Sequence, residues 1–118
     1  MIMITIWHNP KCSKSREALK LLEEKGLSYE VVKYLETTPS RQEITELLQK
    51  LGISARELMR TKEDLYKELG LAEVAEEEKL IDALAEHPNL IERPILIENN
   101  QALIGRPVEK VIDFLVKS

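Results

Sequence analysis

Apolar residues along this chain follow two different periods. Met3 to Trp7 is short, almost continuous in apolar side chains and rich in β-formers, which predicts a buried strand. Asn9-Pro10 ends it, because proline lacks the N–H that a central ladder requires and restricts the residue before it. From Ser13 to Lys25 the spacing becomes helical, with Ala18, Leu21 and Leu22 on one face, and Gly26 supplies the left-handed residue that closes a helix. Tyr29 to Leu35 returns to β-formers in Tyr29, Val31, Val32 and Tyr34. Strand, helix, strand in this order predicts a parallel pair with a right-handed crossover.

The middle of the chain is helical. Ser40-Arg41-Gln42-Glu43 is a capping box, followed by Ile44, Leu47, Leu48 and Leu51 on one face and Gly52 as terminator. Ser54 to Glu57 repeats the box, Thr61 to Asp64 offers a weaker version, and Glu76 to Glu86 carries Leu80, Ile81 and Leu84 before His87-Pro88 stops it. The acidic run Glu76-Glu77-Glu78 reads as a solvated face near a helix N-terminus, where carboxylates suit the dipole. After Pro94, the runs Ile95-Ile97 and Ala102-Ile104 flank Asn99-Asn100, whose tolerance of positive φ predicts a tight antiparallel hairpin. Pro107 in the first helical position, then Val108, Val111, Ile112 and Leu115, predicts a closing amphipathic helix.

The order βαβ, helices, ββα predicts the α/β class. It is the order of a thioredoxin-like core with a mixed four-stranded sheet, into which a helical insert at about 40–87 is spliced. At 118 residues the chain has the length of one domain, 1–118, with no room for a separate regulatory one. Hydrophobic residues at 43% and charged residues at 32% exclude a disordered chain.

Charge and cysteine content narrow the function classes. Lys+Arg 17 against Asp+Glu 21 leaves a net charge of −4, without the basic field that supplies most non-specific nucleic-acid affinity, so no nucleic-acid partner is expected. The apolar start, Met1 to Trp7, is far shorter than the ~20 residues of a membrane span and lacks the flanks of a signal peptide, so no membrane association and a cytoplasmic location are expected. The single cysteine forbids an intrachain disulfide. In a reducing compartment such a residue is either a buried small hydrophobe or a reactive thiol.

Cys12 sits between the strand-ending loop and the helix start, in His8-Asn9-Pro10-Lys11-Cys12-Ser13-Lys14-Ser15-Arg16. Unpaired N–H groups and the positive end of a helix dipole favour thiolate there. The hydroxyls of Ser13 and Ser15 are candidate donors to the sulfur, and Lys11, Lys14 and Arg16 add positive charge. His8 reads either as an imidazolium that stabilises the thiolate or as an ordinary partly exposed histidine. Cys12, His8 and His87 have no spacing that resembles a zinc site, and no Gly-rich phosphate loop is present, so no metal and no tightly bound cofactor are expected. The residue three after Cys12 is Ser15 rather than a second cysteine, so a covalent adduct at Cys12 needs a thiol from outside. Arg93 and Arg106 each precede a proline, which biases them toward extended backbone at element edges, and Arg60 lies between two insert helices. Guanidinium groups gathered at a thiolate make an oxyanion pocket, and dispersed they are solvated surface residues.

With these residues in place, the sequence resembles the glutaredoxin-linked arsenate reductase family, the ArsC proteins related to the Spx regulators. The matching stretches run in order along nearly the whole chain: Ile4-Thr5-Ile6-Trp7-His8-Asn9-Pro10-Lys11-Cys12, Tyr34-Leu35-Glu36 with Pro39-Ser40-Arg41, Leu51-Gly52-Ile53-Ser54, Leu58-Met59-Arg60, Leu69-Gly70-Leu71-Ala72, Leu80-Ile81-Asp82, His87-Pro88, Glu92-Arg93-Pro94-Ile95 and Gly105-Arg106-Pro107. Trp7 stands where tyrosine is common in that family. The resemblance implies that Cys12 is the nucleophile toward arsenate, that Arg60, Arg93 and Arg106 hold its oxygens, and that His8 and Ser15 keep the sulfur ionised. It further implies a cis peptide at Pro94, glutathione as co-substrate and glutaredoxin as partner. Two alternatives share the fold: a Spx-like regulator that binds RNA polymerase, from which Ser15 departs by removing the usual Cys-x-x-Cys switch, and a glutathione-dependent thiol transferase acting on disulfides.

Overall fold

The two periods resolve into four short strands and six helices among the described residues of a computed structural model, which are residues 3–98, 100–106 and 108–117. Asn99 of the expected hairpin turn, Pro107 of the expected helix start, Met1 and Ile2, and the side chains of Val108 and Leu115 lie outside the described residues. The elements are β1 (Ile4–Trp7), α1 (Ser13–Glu24), β2 (Tyr29–Val32), α2 (Arg41–Leu51), α3 (Ala55–Leu58), α4 (Asp64–Glu68), α5 (Glu77–Glu86), β3 (Ile95–Glu98), β4 (Gln101–Ile104) and α6 (Val108–Lys117), with short 3₁₀ turns at Leu71–Glu73 and Pro88–Leu90. The chain divides into two compact units, one of Met1–Thr37 with Arg93–Ser118 and one of Thr38–Glu92.

In the first unit the sheet order is β2-β1-β3-β4. β1 pairs parallel with β2, as the βαβ reading requires, and antiparallel with β3, which pairs antiparallel with β4 in the register Ile95 to Ile104 and Glu98 to Gln101. This is the mixed sheet of a thioredoxin-like fold. One face carries Ile4, Ile6 and Leu96 into a core closed by Ala18 and Leu22 of α1 and Val111 of α6, all essentially inaccessible to solvent. Each of the branched side chains among these contributes about 1.5–3 kcal/mol on burial.

β2 ends three residues earlier than its β-formers suggest. The chain turns at Lys33, whose carbonyl accepts from the N–H groups of Glu36 and Thr37 at 2.9 Å, and Tyr34 folds inward. Its ring stacks on Trp7 with centroids 6.2 Å apart. Burial of Tyr34 against Trp7 outweighs its preference for extended backbone.

In the second unit, both capping boxes form as written: Ser40 with Glu43 and Ser54 with Glu57 each exchange side-chain and backbone bonds at a helix start. Gly52 ends α2 in the left-handed conformation at φ 68, its N–H donating to the Leu48 carbonyl. The weaker Thr61 to Asp64 pattern does not cap α4. Glu63 holds the N-cap position without a side-chain cap, its carboxylate being engaged by Arg60. The core of this unit gathers Ile44, Leu47, Leu58, Leu84, Leu90 and Ile91.

Candidate active site

The loop from His8 to Cys12 is shaped by Asn9. Its carbonyl accepts from the Cys12 N–H at 2.9 Å, its side-chain oxygen accepts from the Lys11 N–H at 3.0 Å, and its own N–H donates to Ser15 Oγ at 3.0 Å. The sequence shows Asn9 only as part of a strand breaker. The available signal was the habit of Asn side chains to close turns on the backbone two residues on. Arg16 ties the same loop from the helix, donating to the Pro10 carbonyl at 2.9 Å.

Cys12 is the N-cap residue of α1, in extended backbone, with its carbonyl accepting the first helical bond from Arg16 at 3.0 Å. No oxygen side chain caps this helix, so its first N–H groups and the dipole of twelve residues face the cysteine. Cys12 is buried, 7% exposed as a residue. Such burial alone raises a thiol pKa, and it is the largest single influence on Cys12. The Ser15 backbone N–H, hydrogen bonds from Arg93 and Arg106 and the Arg93 charge together outweigh it, and the net result is a pKa below the ordinary thiol value.

Arg106 and Arg93 reach the sulfur from the other end of the unit's sequence. Arg106 donates an Nη to Cys12 Sγ at 3.5 Å, and its Nε donates to the Arg93 carbonyl at 2.7 Å, so the two guanidinium residues are tied to each other. Arg93 leads into a cis peptide with Pro94, which in turn abuts Gly105. The Gly105 N–H donates to the Pro94 carbonyl at 2.8 Å, and a Cβ on Gly105 would lie 2.9 Å from Val111 and 3.0 Å from Pro94. Only glycine lets the chain after β4 approach that closely, and this approach delivers Arg106 to the site. The Nε of Arg93 is buried without a partner among the described residues.

His8 differs from the imidazolium reading. Burial, with the charges of Lys33 and Arg16, lowers its pKa below the ordinary histidine value, so the ring is neutral at neutral pH. Its Nδ1 lies 2.7 Å from Ser15 Oγ. The tautomer of His8 sets which of the two donates in this bond, while Ser15 Oγ accepts from the Asn9 N–H. Ser15 contacts His8 and the Asn9 N–H through its hydroxyl oxygen, and its backbone N–H supports the thiolate. Both residues are essentially buried. Their contacts tie the loop before Cys12 to the first turn of α1.

Arg60 belongs to the second unit. Its backbone N–H donates to the Leu90 carbonyl at 2.7 Å, and its guanidinium pairs with Glu63 and, at 3.4 Å, with Glu92. Within the first unit, Cys12, Arg93, Arg106, His8 and Ser15 therefore converge, a depressed-pKa nucleophile beside two cationic donors. Such a set can attack an electrophile while neutralising negative charge on it. Among the described residues no group of acidic, histidine or cysteine side chains has the arrangement of a metal site, and no helix is long and apolar enough to cross a membrane.

Known proteins resemble this chain over nearly its whole length. An arsenate reductase of Neisseria meningitidis serogroup A is 54% identical over 110 residues, covering 92% of this chain and 94% of that protein. An arsenate reductase of Haemophilus influenzae is 46% identical over 114 residues, covering 95% and 98%. The solved structure of an arsenate reductase from Vibrio cholerae superposes with a TM-score of 0.91 at 53% identity, covering 95% of this chain and 97% of that one. The profile of the ArsC family matches residues 7–114, from the strand before the cysteine loop to the last helix, and the chain belongs to that family.

Proposed function

We propose that this protein is an arsenate reductase. The observation that carries the reading is the Cys12 sulfur, favoured as thiolate, with Arg106 donating to it at 3.5 Å and Arg93 holding a buried Nε donor that no described group satisfies. An unsatisfied buried donor costs about 1–3 kcal/mol, and an oxyanion is the ligand that would satisfy it. The Cys12 thiolate attacks the arsenic of arsenate, and one oxygen leaves as water after protonation. A glutathione thiolate then attacks the Cys12 sulfur of the adduct. The S–As bond breaks with its electron pair passing to arsenic, which is reduced from As(V) to As(III) and leaves as arsenite, while the two sulfurs are oxidised to a mixed disulfide. A glutaredoxin thiolate attacks the glutathione sulfur of that disulfide and restores the Cys12 thiolate. The guanidinium groups of Arg93 and Arg106 balance the negative charge of arsenate and of the transition state. The family resemblance adds Arg60 to the oxyanion ligands, and we carry it as part of the proposal.

The test is arsenite formation by purified protein supplied with arsenate, glutathione and glutaredoxin, with Cys12→Ser as control. Turnover that disappears in the control supports the reading. Absence of both turnover and arsenate binding overturns it. Arg60→Gln separates oxyanion reduction from a thiol transferase: at least a tenfold loss confined to arsenite formation is expected, and an equal loss of disulfide exchange would contradict an oxyanion role.

A further inference from the structure

Three exposed cations flank the cysteine loop from three stretches of chain. Lys11 is the residue before the nucleophile. Arg16 lies one helical turn after it and spends one N–H on the Pro10 carbonyl. Lys33 follows Val32, whose carbonyl accepts the His8 N–H at 2.8 Å, so Lys33 stands at the end of β2 beside the same loop. Lys33 and Arg16 both act electrostatically on His8, as their positions require.

None of the three forms an ion pair among the described residues, although carboxylates are near at hand. Glu17 is taken by Lys14 at 4.0 Å, and Glu36, in the turn after Lys33, makes no pair with it. In a chain of net charge −4 this leaves a local positive rim around a nucleophile that lacks a second cysteine. The thiol that resolves an adduct on Cys12 must come from outside, and a cysteine buried to 7% exposure favours a small thiol over one carried on a protein surface.

We propose that Lys11, Arg16 and Lys33 form a receiving rim for the carboxylates of a small acidic thiol, the chemical class of glutathione. This deepens the proposed function by naming the groups that select the co-substrate. The rim concentrates the anionic thiol at the loop and orients its sulfur toward Cys12, with an attraction that weakens as salt screens it.

The test uses no arsenate, so it stands apart from the reductase reading. The Cys12 thiolate attacks a disulfide, forming a new S–S bond and expelling one thiolate, and intact mass follows the modification of the single thiol. The two probes are oxidised glutathione, which is anionic, and bis(2-hydroxyethyl) disulfide, which is neutral. Taking the ratio of their second-order rate constants cancels any change in the thiolate fraction of Cys12. In Lys11→Gln/Lys33→Gln the ratio is expected to fall roughly tenfold at low ionic strength, and added salt is expected to lower the wild-type ratio toward that of the variant. Arg16→Lys should keep most of the ratio and Arg16→Gln should lower it. An unchanged ratio in these charge-neutralising variants, or an equal fall in both rates, would overturn the proposal. The first outcome would mean that the cations do not select the thiol, and the second that they act only on the reactivity of the sulfur.

Discussion

Replacing Gly105 with alanine tests whether backbone packing, rather than the arginine alone, places Arg106 at the sulfur. The added Cβ would meet Val111 Cγ2 at 2.9 Å, Pro94 Cγ at 3.0 Å and Leu96 Cδ1 at 3.3 Å. Val111 and Leu96 are fully buried in the sheet core and have little room to yield, and Pro94 is fixed by its ring. Overpacking of this kind costs about 1–3 kcal/mol. For a chain of this length that corresponds to a fall in melting temperature of roughly 4 °C for each kcal/mol. Relief by moving the chain after β4 outward would stretch the Gly105 to Pro94 bond of 2.8 Å and the Arg106 to Arg93 bond of 2.7 Å. The 3.5 Å contact from Arg106 to Cys12 would weaken in turn. The assay is chemical denaturation paired with the pH dependence of Cys12 alkylation. Reduced stability together with a raised Cys12 pKa is expected. Unchanged stability would refute the packing, and lost stability with an unmoved thiol pKa would refute the link from Gly105 through Arg106 to the sulfur.

Arg106→Gln removes the charge-assisted bond to Cys12; at 3.5 Å and partly open to solvent this bond is worth about 1 kcal/mol, so the thiol pKa should rise by about half to one unit in a pH titration of alkylation rate. His8 has a folded pKa depressed below the unfolded value of about 6.5, so the stability it contributes is present above that value and lost as pH falls through the lower folded one. Denaturant midpoints of the wild type should therefore drop across that window more steeply than those of His8→Asn. Ser40→Ala breaks the capping box of α2 and should lower stability by about 1 kcal/mol in urea denaturation, without moving the Cys12 pKa.

Much of the fold was legible because its signals are local. The capping boxes at Ser40 and Ser54 need only residues three apart, and the βαβ start needs only a change of period between Trp7 and Tyr29. The end of β2 was not legible, because it depends on Tyr34 meeting Trp7, a contact made only once the chain has folded. At the site, the placement of Cys12 at a helix start could be read directly. The convergence of Arg93 and Arg106 on Cys12 could not, since more than eighty positions separate them from it, and there the family resemblance supplied what spacing lacked. The state of His8 was equally hidden, since its neutrality comes from burial and from Lys33, which is remote in sequence. The packing role of Gly105 was hidden too, because it arises only where Pro94 and Val111 stand against it in the fold.

The most direct measurement is the pKa of the only cysteine, taken from thiolate absorbance against pH with arsenate absent and then present. Without arsenate, a midpoint clearly below the ordinary thiol value is expected, because the Ser15 N–H, Arg93 and Arg106 together overcome the effect of burial. With arsenate the thiolate signal should diminish as the sulfur is consumed in the adduct. A midpoint at or above about 8.5, with a signal indifferent to arsenate, would contradict the assignment of Cys12 as an ionised nucleophile beside an oxyanion site.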